Sequence, residues 1–137
     1  MAVAFAQSGL KVLLVDCDMR CGRQHTIFDL ENGKGLSNLL LDDVSNKYKS
    51  YIQKTKIDNL SLLPMGVVPP NPTELLASDN FFLLYEVLTS KYDLVIYDGI
   101  PLLDLTDSLI MAELVDKIVI VSAYKQTPMD FLKKTSR

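Results

Sequence analysis

Four short apolar runs alternate with segments of helical period, and this alternation constrains the fold more than any other feature of the chain. Val12 to Val15 is apolar at every position, and Leu60 to Leu63, Leu94 to Tyr97 and Ile118 to Val121 are nearly or wholly so. A strand without a polar face is buried on both sides, the habit of parallel sheets covered by helices. Strands separated by helices make βαβ units. The pattern therefore predicts an α/β domain with a mostly parallel sheet.

The segments between the runs fill in the rest. Met1 to Gly9 reads as the second half of an amphipathic helix with Gly9 as its natural C′ residue. A polar stretch runs from Asp16 to Gln24, one turn is expected over Thr26 to Leu30, and a short helix over Leu36 to Leu41. Val44 to Thr55 is lysine-rich and reads as a solvated helix or loop whose Tyr48 and Tyr51 cover core. Pro64 to Pro72 holds four of the six prolines. A helix opens there, with Asn71 as N-cap, Pro72 at N1 and Glu74 at N3 in a capping-box arrangement. Further helices are expected over Phe81 to Thr89, over Thr106 to Leu114 and from Thr127-Pro128 onward. Both ends read as cuts through a larger domain, so residues 1–137 are expected to be one partial domain.

The totals agree with a single globular unit. In 137 residues, 48% are hydrophobic and 23% charged, and the net charge is −3. That balance excludes a disordered chain and disfavours a nucleic-acid partner, which needs a basic surface. Two cysteines, Cys17 and Cys21, are too few for a disulfide-stapled scaffold, and the N-terminal residues lack the pattern of a signal peptide. A cytoplasmic location follows. Cys17, Cys21 and His25 recur every four residues, but no fourth ligand accompanies them, so structural thiols are the better reading.

Chemistry is expected at the carboxyl ends of the strands, where open parallel sheets bind their ligands. Asp16 and Asp18 follow the first run and Asp98 follows the third. Carboxylates converging on one crevice suit Mg²⁺, a hard cation that takes oxygen ligands and keeps several waters. One of them is also suited to orient or deprotonate an attacking hydroxyl in phosphoryl transfer. The bland alternative is that each aspartate merely opens a turn. The complementary part of such a site, a Gly-x-x-x-x-Gly-Lys-Ser/Thr loop after a strand, does not occur in the sequence. Gly33-Lys34-Gly35-Leu36-Ser37 has the wrong spacing and no strand before it.

These residues resemble a known family. Leu13-Leu14-Val15-Asp16-Cys17-Asp18-Met19-Arg20 is similar to the second Walker-type motif of bacterial tyrosine kinases, and Tyr92 to Asp98 is similar to their Walker B strand. Pro64-Met65-Gly66, with Pro69-Pro70-Asn71-Pro72-Thr73-Glu74-Leu75-Leu76, resembles a proline-rich segment of that family and is the most specific match. Gln24-His25, Ile27-Phe28 and Gly35-Leu36 also fall where the family has similar residues.

The resemblance implies a P-loop NTPase-like fold missing its first strand and phosphate loop. It implies an ATP- and Mg²⁺-dependent protein-tyrosine autokinase that regulates capsule or exopolysaccharide synthesis. Such a kinase is activated by a membrane protein of the polysaccharide co-polymerase type, assembles into rings and is recruited to the inner face of the plasma membrane. Carried over by position, Asp16, Asp18 and Asp98 are the catalytic acids, with Asp16 and Asp98 at the metal and Arg20 binding the nucleotide's phosphates. Departures from the family pattern are Gly99-Ile100-Pro101 after the Walker B acid, Cys21-Gly22 after Arg20, and Ser122 or Ala123 in place of an arginine. The family's C-terminal tyrosine cluster is missing as well. Two other readings compete: a partitioning-type ATPase switch, which shares the acidic motifs, and a receiver-like signalling module with Asp98 as phosphoacceptor.

Overall fold

The computed structural model describes residues 1–99 and 105–122. Its sheet contains β1 (Val12–Asp16), β2 (Gln53–Lys54), β3 (Leu60–Leu63) and β4 (Leu94–Asp98), in the order β2-β3-β1-β4. β1 pairs in parallel with both β3 and β4, while the short β2 runs antiparallel to β3. The sheet is thus mostly parallel, as the apolar runs require. β2 is the addition: the lysine-rich segment forms α4 (Val44–Tyr51) and then turns back onto the sheet edge. Tyr48 of α4 is buried, in keeping with its expected role of covering core.

All five residues of β1 are buried because helices cover both faces. Leu13 and Val15 point into a core shared with α3 (Leu36–Leu39), α4 and α6 (Asp79–Lys91). Val12 and Leu14 alternate to the other face and pack with Ala6 of α1 (Ala2–Gln7). That alternation is the pleat of a strand made visible by burial. In α6 the same logic divides Phe81-Phe82-Leu83-Leu84. Phe81 and Leu84, three residues apart, are buried, while Phe82 and Leu83 face outward.

Local signals account for most boundaries. α1 ends at Ser8, and Gly9 follows with φ +96°, the left-handed conformation that glycine adopts without strain. Ser78 caps α6 through the Phe81 amide. α5 (Pro72–Leu76) starts behind Asn71 with proline in its first turn, as expected. Its capping box does not form in backbone terms; instead the Asn71 side-chain Nδ2 donates to Glu74 Oε2 at 2.8 Å.

The Pro64–Val67 turn is held from below by the start of α3. The amides of Leu36 and Ser37 donate to the carbonyls of Pro64 and Met65, and Asn32 pairs with Gly66 in both directions. Gly66 has φ +84°, and a Cβ there would stand 2.4 Å from Asn38 Oδ1, so both the conformation and the close approach require glycine.

One expectation is overturned. Ile118 to Val121 forms no strand, and its residues are 42–89% exposed. A short parallel strand is stable only beside a partner, and among the described residues these pair with nothing. β4 is the open edge on this side of the sheet, and its five residues are only half-buried. The expected last helix lies outside the described residues. The helix after β4 is α7 (Leu105–Ala112), close to the expected span.

Candidate active site

The connectivity places a crevice at β1 and β4. From β1 the chain moves to β3 on one side, and from β3 it crosses back over β1 to β4 on the other. The connections therefore diverge between β1 and β4, the topological switch point at which open α/β sheets bind ligands. Asp16 and Asp98 are the last residues of these strands and are register partners. The Cys17 amide donates to the Asp98 carbonyl at 2.9 Å, closing the ladder directly beneath the two carboxylates.

Asp16 is fully buried. Oδ1 accepts from the Asp18 amide at 3.3 Å and Oδ2 from the Gln24 amide at 3.1 Å. Burial pushes its pKa up to about 6, and the negative charge of Asp98 adds to the rise against the pull of the two amides. A buried carboxyl that holds its proton this far up the pH scale is under-neutralised, and a nearby positive charge would relieve it. The loop that wraps it has no spare room. A Cβ on Gly22 would lie 2.5 and 2.6 Å from the two Asp16 oxygens and 2.6 Å from the Asp18 carbonyl.

Asp98 is half-buried and is met by a side chain not assigned a role from sequence. The Gln24 amide Nε2 donates to Asp98 Oδ2 at 2.6 Å. Gln24 opens α2 (Gln24–Ile27), so one residue holds both acids, Asp16 by its main chain and Asp98 by its side chain.

Asp18 behaves differently. Its Oδ1 accepts from the amides of Arg20 and Cys21 at 3.2 and 3.0 Å, forming an Asx turn that shapes the loop. Its charge still contributes to the raised pKa of Asp16, though as the smallest of the causes.

Arg20 projects from the same loop and is ion-paired with Asp107 of α7, through Nη1 and Oδ2. Its Nη2 donates to Thr73 Oγ1 at 3.4 Å, and the Thr73 hydroxyl donates to Asp107 Oδ1. Asp107 is 2% exposed and the Arg20 side chain 42%. The acidic loop, the proline-rich segment and the helix after β4 are therefore tied at one point. Sequence reasoning missed Gln24, Gly22, Thr73 and Asp107 as parts of the site. Gln24 and Thr73 lie within segments that resemble the family's, but nothing in their residue types marks a bridging role. Asp107 sits in an apolar helix, and a lone acid there was the only signal.

The donor set fits a divalent cation in part. Among the described residues no three histidine, cysteine or acidic side chains group together as a metal site, and those residues supply two neighbouring carboxylates at the strand ends. Mg²⁺ ordinarily takes one or two carboxylates and fills its remaining positions with water and substrate phosphate oxygens. Two carboxylates, one of them buried and under-neutralised, meet that requirement.

Comparison with known proteins agrees with this geometry. A family model described as an AAA domain matches residues 1–135. The chain belongs to the AAA-domain family. It is 39% identical over 134 residues to a putative tyrosine-protein kinase, CapB, of Staphylococcus aureus, covering 98% of this chain and 58% of CapB. It superimposes on the chimerical protein CapA2B2 with TM-score 0.90 and 41% identity, over 98% of this chain and 59% of that one. The kinase domain of the Escherichia coli tyrosine kinase ETK gives TM-score 0.91 and 32% identity, over 98% and 52% of the two chains. A septum site-determining protein MinD of Pyrococcus horikoshii, complexed with Mg-ADP, gives TM-score 0.57 and 25% identity over 80% and 45%. The fold is that of P-loop NTPase-like kinase domains, and bacterial tyrosine-protein kinases are its strong relatives. The chain spans little more than half the length of these relatives. Among the described residues no helix is long and apolar enough to cross a membrane.

Proposed function

We propose that this chain is the acidic half of an ATP-dependent protein-tyrosine autokinase domain acting in capsule or exopolysaccharide synthesis. The observation that carries the reading is the register pairing of Asp16 with Asp98 at the switch point, with Asp16 buried and its pKa raised. Asp16 and Asp98 would hold Mg²⁺, and Asp16 is the base or metal-linked acid toward the attacking tyrosine hydroxyl. Asp18 shapes the loop that presents Asp16. Arg20 lies at the same loop and contributes positive charge on the phosphate side.

The phosphate-cradling backbone belongs to a strand and loop outside the 137 residues, seated along the open edge of β4. The half-buried face of β4 and the exposed Ile118–Val121 run are consistent with that placement. When bound, Mg²⁺ neutralises charge on the transferring phosphoryl group. This chain's own part is to place two carboxylates and keep one of them dry. The partners on this reading are a membrane activator of the polysaccharide co-polymerase type and further copies in a ring, with no nucleic acid. The location is cytoplasmic, at the inner face of the plasma membrane.

The test uses the chain joined to its phosphate-loop segment and incubated with Mg-ATP. Tyrosine phosphorylation is expected, and Asp98→Asn should lower it by about a hundredfold, as loss of a metal-holding carboxylate would. ATP hydrolysis without any phosphotyrosine would favour a partitioning-type switch instead. That rival has the weaker structural support, since MinD superimposes with TM-score 0.57 against 0.90 for CapA2B2.

A further inference from the structure

We propose that Gln24 is a positioning residue that aims the two carboxylates at each other. Its main-chain amide fixes Asp16 and its side-chain amide fixes Asp98 (3.1 and 2.6 Å). Asp98 is half-buried at the end of β4, and among the described residues Gln24 is the side chain hydrogen-bonded to its carboxylate. Asp16, by contrast, is enclosed by Gly22 and held by two amides.

The residue type matters. A glutamine at the first position of α2 reaches the end of β4; asparagine is one methylene shorter, and glutamate would bring a third negative charge to the pair. An amide donor leaves the carboxylate's other lone pairs available, which is how outer partners orient metal-ligating acids without displacing the metal. The consequence for cation binding rests on the kinase reading above, whereas the positioning itself does not.

Solution NMR of the chain separates the two. Three-bond couplings report χ1 of Asp16 and Asp98, each expected in a single rotamer. In Gln24→Ala, Asp98 couplings should average between rotamers while those of Asp16 stay unchanged, because the residue 24 amide is retained. Gln24→Asn should behave like Gln24→Ala, since its amide no longer reaches. Unchanged Asp98 couplings would overturn the proposal. So would equal loosening of both aspartates, which would mean that α2 had merely frayed.

Paramagnetic broadening by Mn²⁺ supplies the second arm. It should centre on the amides of Cys17, Gln24 and Asp98, with about tenfold weaker affinity in Gln24→Ala. Equal affinity in the two proteins would count against Gln24 as an organiser of the cation site. An unsubstituted chain that shows no such broadening would sink the cation reading, leaving the couplings to decide the role of Gln24.

Discussion

Arg20→Ala should destabilise the fold by about 3–5 kcal/mol, read as a lower midpoint in urea denaturation at an unchanged slope. The size of the effect comes from its partner. Asp107 is 2% exposed, and its two oxygens are met by Arg20 and Thr73. Removing the guanidinium strands a buried carboxylate, and that desolvation dominates over the pair's own modest net worth. Arg20→Ala combined with Asp107→Ala should therefore recover part of the loss, since the Asp107 carboxylate is no longer stranded. A loss under about 1 kcal/mol for Arg20→Ala would mean that Asp107 is satisfied elsewhere, as an exposed pair would be.

Gly22→Ala is the second substitution with a large expected effect. Its Cβ would meet Asp16 and the Asp18 carbonyl at 2.5–2.6 Å, far inside van der Waals contact. The Asp16 carboxylate sits on a short stem anchored by β1, and the Asp18 oxygen is main chain, so neither yields cheaply. A loss of about 2–3 kcal/mol is expected, in the range of overpacked cores. The Asp18 and Gln24 amides, which bond the displaced carboxylate, should shift in the NMR spectrum. Gly33→Ala is the control: a Cβ there meets nothing within 4 Å, and the change should stay within about 0.5 kcal/mol. Equal behaviour of the two substitutions would show that the loop around Asp16 is looser than its geometry implies.

The contrast between these residues explains what the sequence could reveal. β1, β3 and β4 were legible because burial on both faces leaves no polar position, and each fell within a residue of its expected span. The convergence of Asp16 and Asp98 was legible for the same reason. Once the sheet is parallel, the ends of neighbouring strands lie on one side.

The fourth strand failed on a principle that composition cannot express. Ile118–Val121 has strand chemistry, but a strand exists only beside a partner, and pairing is a property of the neighbour. The antiparallel β2 was invisible because Gln53-Lys54 has neither alternation nor apolar content. Within the site, the residues found were the acids, whose chemistry is written in their type. Those missed act by position: Gln24 by reach, Gly22 by the absence of a side chain, and Thr73 and Asp107 by a tertiary tie to Arg20.

Asp18 is the instructive middle case. It carries the right functional group in the right motif, yet the structure spends one of its oxygens on the amides of its own loop. The competing reading of strand-end aspartates as turn formers describes that bond correctly.

Residues 16 and 98 are expected to serve a single cation. Anomalous diffraction from crystals of the chain joined to its phosphate-loop segment, grown with Mn²⁺ and a nucleotide, measures this directly. One manganese peak should lie within reach of both carboxylates, directly or through a shared water. A peak held by one of them with the other turned away, or none at the switch point, would rule out a shared cation.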